Sequence, residues 1–295
     1  MQGKERIDNK DKKQHSSTRV PYSYYECSIP EDAIHIVSHW HSELEISLVT
    51  MGQGEFVFDD ERHLLKQGDI IILPPDILHG VNPVRNHKGF YKTIVFHHRM
   101  LGTGSSDRSA LECIMPIING QKKICPVITR MHAGYPEILS CVEQIMMAAK
   151  MDSAQYDLLL KSELLKLFWL LDRDETLVVS ENKDSGYSAL IRPAIDYMNE
   201  RLAEDITVKM LADYLNISKS HFMFCFKKST GVGAIEYLNQ CRIRRACLLL
   251  SKTRKPVSDI ACACGYGNIS NFNRQFKKNV GRTPKEYRIA QNRDT

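Results

Sequence analysis

The sequence predicts an α+β protein of two domains: an N-terminal β-barrel with a helical pair, and a C-terminal all-α domain of two helix-turn-helix units. Three observations predict this fold class. Short runs rich in Ile, Val and Phe fill residues 22–96, two strongly helical segments follow, and a fifty-residue pattern repeats between residues 207 and 288. The halves also differ in charge. Residues 187–295 carry 19 Lys and Arg against 9 Asp and Glu, whereas the remainder carries 21 against 26.

The expected order along the chain is a tail, a first domain, a linker and a second domain. Residues 1–20 are polar and Lys-rich without the apolar segment of a signal peptide, which predicts a disordered tail. We assign residues 21–171 to the first domain, the polar residues 172–186 to the linker and residues 187–295 to the second domain. No apolar run approaches ~18 residues, so no membrane span is expected. Nine cysteines without a CxxC pair favour reduced thiols in the cytoplasm, with a redox sensor as the alternative.

The first domain should be a small barrel or jelly roll, because many short strands alternate with turn residues. The predicted strands are Ala33–Val37, Glu45–Thr50, Glu55–Phe58, Arg62–Leu65, Asp69–Leu73 and Lys92–His97. The predicted turns are Met51–Gly54, Phe58–Asp60 and Gln67–Asp69.

Two helices are expected after the barrel, at Pro136–Lys150 and Tyr156–Leu171. The second helix carries more apolar residues than one buried stripe requires. Its surface can therefore be buried within one subunit or can pack against a second copy of the chain, and the sequence leaves both open.

The repeat in the second domain predicts two helix-turn-helix units. In the first unit Thr207 caps a short helix, Asn216 makes the bend and Ser218 caps the second helix. In the second unit Gly265 makes the bend and Asn268 caps the second helix. A tandem helical hairpin could also be a mere scaffold, but the excess of Lys and Arg in this half favours binding to phosphates.

The residues of this half resemble a known family. The stretches that carry the resemblance are Arg242–Ala246, Val257–Ala261, Cys264–Tyr266, Asn271–Lys278 and Gly281–Arg288. On these stretches residues 188–290 resemble the DNA-binding domain of the AraC/XylS family of transcription regulators. The resemblance implies two units joined by a long helix, here about Ala234–Ser251, with both recognition helices in successive major grooves.

The expected DNA contacts lie on those two recognition helices, off the buried faces set by their phenylalanines. They are Lys219, Ser220, His221, Met223, Phe224 and Lys227 in the first unit and Ile269, Ser270, Asn271, Asn273, Arg274 and Lys277 in the second. Phe224 stands at the position of Arg274, where a regulator of this family usually has Arg.

The first domain resembles the cupins. His39, His41, Glu45 and Gly52 follow the spacing of the first cupin motif, and Gly68, Asp69, Pro74 and His79 resemble the second. Asp76 departs from it, because it stands where that family often has glycine. The resemblance implies the N-terminal sensor that many AraC-type regulators carry.

We predict that the sensor binds its effector through His39, His41, Glu45 and His79. Two other readings stay open: the same groups can ligate a metal ion, or the histidines can serve packing and hydrogen bonding only. Trp40 alternates with the two histidines on a strand and should face the opposite side.

Together these features predict a cytoplasmic, effector-responsive transcription activator that is not an enzyme and needs no metal or cofactor. Its expected partners are promoter DNA, a small molecule such as a sugar, RNA polymerase and a second copy of the chain, with no membrane contact. The alternatives are a metal-dependent cupin enzyme with a DNA-binding appendage and, on weaker grounds, a structural nucleoid protein.

Overall fold

The structure is a computed structural model that describes residues 19–30, 36–58, 60–151, 153–174, 176–179 and 186–291. Most of the predicted tail lies outside the described residues. So do residues 33–35 of the first predicted strand and residues 180–185 of the predicted linker.

The described chain has a β-rich N-terminal half and an all-helical C-terminal half, which confirms the predicted two-domain α+β class. The strands are β1 (Tyr22–Ile29), β2 (Ile36–His39), β3 (Leu44–Phe58), β4 (Glu61–Lys66), β5 (Ile70–Leu73), β6 (His79–Asn82), β7 (Gly89–Phe96), β8 (Lys122–Ile124), β9 (Val127–Ile128) and β10 (Leu177–Val179). The helices are α1 (Met115–Ile118), α2 (Tyr135–Met151), α3 (Ala154–Arg173), α4 (Tyr187–Glu200), α5 (Val208–Tyr214), α6 (Lys219–Thr230), α7 (Ala234–Lys252), α8 (Val257–Ala263), α9 (Ile269–Val280) and α10 (Pro284–Gln291).

Strand β3 is the central strand of the N-terminal domain, because it pairs with four other strands. Its first half lies between β5 and β7, and its second half pairs with β4 and β6, all antiparallel. The prediction of a turn at Met51–Gly54 was therefore wrong. The register against β7 shifts between Val49 and Met51, and Gly52 adopts φ +73° there, so a bulge bends one strand instead of ending it.

Helices α2 and α3 pack on the sheet and close the sensor's larger core. Their buried residues, among them Ile138, Leu164 and Phe168, join sheet residues such as Ile46 and Ile94 in one cluster. Each large aliphatic side chain buried there stabilises the fold by about 1.5–3 kcal/mol. Both helices were predicted, with ends within two residues of those observed.

Regular structure extends into the predicted linker 172–186. Helix α3 continues to Arg173, and β10 pairs antiparallel with β8. Hydrogen-bond pairing across 53 residues (Leu177 with Ile124) ties this part of the chain to the sensor.

The two helix-turn-helix units form as the sequence predicts. Thr207 and Ser218 cap α5 and α6 through bonds to the amides of Met210 and His221, and Asn268 caps α9 through the amides two and three residues on. Helices α6 and α9 end at equivalent glycines, Gly231 (φ +79°) and Gly281 (φ +78°), fifty residues apart. Helix α7 joins the units, as the family resemblance implied.

Candidate effector site and nucleic-acid interface

The structure brings the four predicted effector residues together where β2, β3 and β6 meet. His39 pairs with His79 across β2 and β6, and their ring centroids are 4.5 Å apart. The His41 ring lies 5.1 Å from that of His79, in an edge-to-face arrangement. Glu45 enters from β3, with its Oε2 atom 3.2 Å from Nε2 of His79 and 3.4 Å from Nε2 of His41. We call these four residues the histidine cluster.

The three rings of the histidine cluster are oriented in the same way. In each, Nδ1 lies against a backbone carbonyl oxygen: Val37 for His39 (2.9 Å), Glu43 for His41 (3.1 Å) and Ile77 for His79 (2.8 Å). A carbonyl oxygen can only accept a hydrogen bond, so Nδ1 must carry a proton in every ring, and His41 carries a second proton on Nε2 when it donates to the Glu45 carboxylate. The three Nε2 atoms are then left to face the centre of the cluster.

The neighbouring charges in the histidine cluster lower the pKa of Glu45 and raise that of His41, although both groups are buried. Burial alone would raise the pKa of Glu45, but the charge of His79, with the hydrogen bond and charge of His41, holds that pKa well below its usual range. For His41, burial alone would lower the pKa. The hydrogen bond and charge of Glu45, with Glu43 beside it, outweigh burial and raise the pKa. The cluster therefore contains a carboxylate that pairs with imidazole.

The cluster also fits a metal ion of the kind that the cupin resemblance implies. The ligand atoms of His39, His41 and His79 all lie within 4.8 Å of one another. Nε2 of His79 is buried and makes no hydrogen bond, although the Glu45 carboxylate is close. Imidazole nitrogens with a carboxylate are suitable donors for divalent transition metals, and Nδ1–H groups held by carbonyls are the usual outer support of such ligands. Coordinate bonds of about 2.0–2.1 Å would draw the rings closer together.

The two clefts described in the sensor region lie outside the histidine cluster. One, of about 530 Å³, opens beside the β3 bulge and is lined by Gly52, Gln53, Lys66, Gln67, Asp69, His87, Thr129, Arg130 and Met131. This cleft could not be predicted from the sequence, because its residues come from four separated segments without a shared motif.

The twelve predicted DNA contacts are all exposed on α6 and α9. The buried faces of these helices carry Phe222 and Phe226 in the first unit and Phe272 and Phe276 in the second. Arg274 is exposed, and its Nη2 donates to Oδ1 of Asn271 at 3.0 Å, so two candidate base-reading groups are already aligned. Phe224 remains 57% exposed, which excludes a place for it in the core.

With this geometry established, comparison with known proteins gives the family. A model described as an AraC-like ligand binding domain matches residues 30–168, and one described as a helix-turn-helix domain matches residues 211–290. The chain belongs to the AraC family of transcription regulators. As a family member it is a DNA-binding regulator with a ligand-binding domain for a small-molecule effector.

Individual relatives are similar to this chain over part or most of its length. The lactose operon transcription activator of Staphylococcus xylosus is 25% identical over 243 residues, 82% of each chain. An uncharacterised helix-turn-helix regulator of Escherichia coli, YijO, is 35% identical over 120 residues, which span 40% of this chain and 42% of that protein. Among solved structures, ToxT from Vibrio cholerae O395 is 13% identical with a TM-score of 0.44, covering 91% of this chain and 97% of that chain.

None of the helices in the described residues is both long and apolar enough to cross a membrane.

Proposed function

We propose that this AraC-family regulator is an effector-responsive activator that reads promoter sites with α6 and α9 and senses a small molecule at the histidine cluster. The observation that carries the proposal is the pairing of two exposed recognition helices with a buried polar cluster in the other domain. A buried group of hydrogen-bonding side chains is how proteins fix the orientation of a small ligand. We infer a binding protein and not an enzyme, because attachment to a DNA reader makes the first domain a sensor.

A carbohydrate is the effector class that we propose. The relative from Staphylococcus xylosus is named for the lactose operon, and its match extends over most of both chains. Imidazole nitrogens and a carboxylate suit hydroxyl groups, because the carboxylate accepts a hydrogen bond from a sugar hydroxyl, and an imidazole nitrogen donates or accepts one according to its protonation. Thermal unfolding of the full chain against a panel of sugars tests this, since a ligand that binds only the folded state raises the midpoint.

A divalent metal ion is a second candidate occupant of the cluster. The specific observation in its favour is that all three histidines donate Nδ1–H to a backbone carbonyl and so leave Nε2 as the ligand atom. Such an ion would supply a fixed positive charge and an open coordination position for an oxygen of the effector. Metal content of the purified protein before and after chelation separates this candidate from a metal-free sugar site.

We further propose that the regulator works as a homodimer through α3. Leu158, Leu165 and Trp169 are exposed by 73%, 47% and 58%, and their spacings of seven and four residues place them on one stripe. A stripe of this kind on a helix packs well against its own copy. We also propose that the regulator acts in the cytoplasm and activates transcription through contact with RNA polymerase.

The proposal as a whole is tested by selecting binding sites from random duplexes with the full chain. Enrichment of one motif that spans two successive major grooves would support it. Binding without any sequence preference would favour a structural nucleoid protein instead.

A further inference from the structure

The cleft beside the β3 bulge is built from four segments, and hydrogen bonds tie three of them together. The segments are the bulge itself, the turn between β4 and β5, the turn between β6 and β7, and the turn after β9. The Gln67 amide donates to the carbonyl oxygen of Gly52 at 3.0 Å, and the Gln53 amide donates to that of Lys88 at 3.1 Å. The bulge is therefore bonded to both neighbouring turns, which gives the cleft a fixed floor.

The fourth segment carries an arginine that lies against Gly68. Gly68 adopts φ +92°, and a Cβ atom on it would lie 2.9 Å from the Tyr135 hydroxyl oxygen and 3.5 Å from both Nε and Nη2 of Arg130. The Tyr135 hydroxyl donates to the Gly68 carbonyl oxygen at 2.7 Å. On the other side, the Thr129 amide donates to Nδ1 of His132 at 3.0 Å. These bonds fix the backbone around Arg130, so its guanidinium is held on the wall of the cleft.

Three basic side chains line the cleft: Lys66, His87 and Arg130. All three are exposed, and within the described ranges none of these side chains forms a salt bridge or a hydrogen bond. The acidic residue of the lining, Asp69, has Oδ2 bonded to the backbone amide of Lys66 at 2.8 Å. The carboxylate is thus used in its own turn, whereas water holds the place that an anion can take beside the cations.

This set of groups suits a phosphate. A guanidinium binds two phosphate oxygens at once through parallel N–H bonds, and a lysine ammonium adds a compact positive charge. An imidazole offers one N–H donor when it is neutral and two when it is protonated. Arg130 and Lys66 bring two positive charges against the single negative charge of Asp69, so the lining favours an anion.

The cleft has room for more than a phosphate ion. Its volume of about 530 Å³ lies within the range of small-molecule sites, roughly 300–1,000 Å³. The side-chain amides of Gln53 and Gln67 can each donate and accept hydrogen bonds, and the Asp69 carboxylate can accept them. Groups of this kind recognise hydroxyls, which would lie next to the phosphate.

The cleft and the histidine cluster lie at different positions on β3. Glu45 belongs to the cluster and Gly52 to the cleft, seven residues further along the strand. At about 3.3 Å per residue, these two positions are roughly 23 Å apart along the strand. A ligand in the cleft would therefore be a second ligand, separate from one at the cluster.

We propose that this cleft is a second ligand site, which binds a phosphate monoester of a polyhydroxylated small molecule. Arg130 and Lys66 hold the phosphate, with His87 as a further donor. Asp69 and the two glutamines contact the hydroxyl groups. The inference goes beyond the proposed function, since it requires neither DNA binding nor a ligand at the histidine cluster.

Isothermal titration calorimetry of the full chain tests the site with four probes: glucose 6-phosphate, glucose, inorganic phosphate and glucuronate. The buffer is free of phosphate, has physiological ionic strength and contains a chelator, so that neither nonspecific charge attraction nor a metal ion at the histidine cluster controls binding. Lys66→Gln/Arg130→Gln removes the two cations of the site. Arg108→Gln/Lys123→Gln is the matched control, because it removes one exposed arginine and one exposed lysine of the same domain outside the cleft.

Glucose 6-phosphate should bind at least about tenfold more tightly than glucose, because hydrogen bonds to a charged group are stronger than those between neutral groups. The cleft variant should lose at least about tenfold in affinity for glucose 6-phosphate, and the control should stay within about twofold of the wild type. Glucose 6-phosphate should also raise the thermal midpoint of the wild type and the control but not that of the cleft variant, since a ligand that binds only the folded state stabilises it.

Equal affinities of the wild type and the cleft variant would overturn the site. Equal losses in the cleft and control variants would also overturn it, because they would mean general charge attraction. Glucuronate bound as tightly as glucose 6-phosphate would refute the assignment to phosphate, and so would the absence of binding by both phosphate probes. Selection of operator DNA by the full chain is measured separately, so this site and the DNA-binding function can fail independently.

Discussion

Phe224 and Arg274 occupy equivalent positions of the two recognition helices, fifty residues apart, and have different neighbours. The Phe224 ring meets Tyr187 edge to face, with centroids 5.5 Å apart, whereas Arg274 donates to the Asn271 side chain. An arginine can read guanine through two hydrogen bonds, and a phenylalanine can only contact a thymine methyl or fill space. We therefore expect the second unit, and not the first, to read a base directly at this position.

We expect Arg274→Ala to weaken binding to the selected operator by about 1–3 kcal/mol and to relax specificity in one half-site. Phe224→Ala should cost less than about 1 kcal/mol and change the preference mainly at a thymine. The measurement is a binding isotherm for each variant on operators with single base substitutions. A larger loss of discrimination from Phe224→Ala would contradict this assignment of roles.

His41→Ala should abolish the effector response, because His41 bonds to Glu45 within the cluster and its ring is buried. The exposed His87 gives the comparison, since its replacement by alanine removes a histidine that lines the cleft near Arg130 and leaves the histidine cluster intact. A reporter under the selected operator gives the readout, with protein level and thermal midpoint measured in parallel. A normal response from a folded His41→Ala protein would place the effector elsewhere, with the cleft near Arg130 as the next site to test.

The helical half was predictable because its signals are local. Caps such as Ser218 and Asn268 and bends such as Asn216 (φ +54°) and Gly265 (φ +81°) specify backbone conformation within a few residues. Because the repeat contains a cap and a bend in each copy, the prediction of one helix-turn-helix unit supported the prediction of the other.

The sensor was predicted less completely because its strands depend on long-range pairing. Strand β6 was missed, since Gly80 and Asn82 are poor strand formers and gain their place only by pairing with β2 and β3. Gly52 looked like a turn although it marks a bulge. The contacts between the two domains had no sequence signal, because Ser38 and Asp76 gain their partners only when the helical domain lies against them.

The histidine cluster should bind one divalent transition-metal ion per chain if the metal candidate is right. Titration of the metal-stripped chain with Zn²⁺ or Ni²⁺ should show saturation at a single site, and His39→Ala should lose most of that binding, because three imidazoles and one carboxylate set the affinity. Removal of an outer partner costs about 10–100-fold in such sites, and removal of a ligand should cost at least as much. Equal affinity in His39→Ala and the His87→Ala control would exclude the cluster as the metal site.

The exposed stripe on α3 leads to the last prediction. Leu158→Lys/Leu165→Lys should convert a dimer to a monomer, because lysines on a buried dimer contact would have to lose their hydration without a partner charge. Both side chains lie outside the sensor's core, so the monomer's thermal midpoint should change little. Met131→Lys is the control, since Met131 is an apolar side chain exposed by 92% away from α3. Sedimentation velocity gives the mass of each variant. If the wild type is a dimer and the double variant remains one, the contact lies on another surface, and the stripe is an ordinary exposed part of the helix.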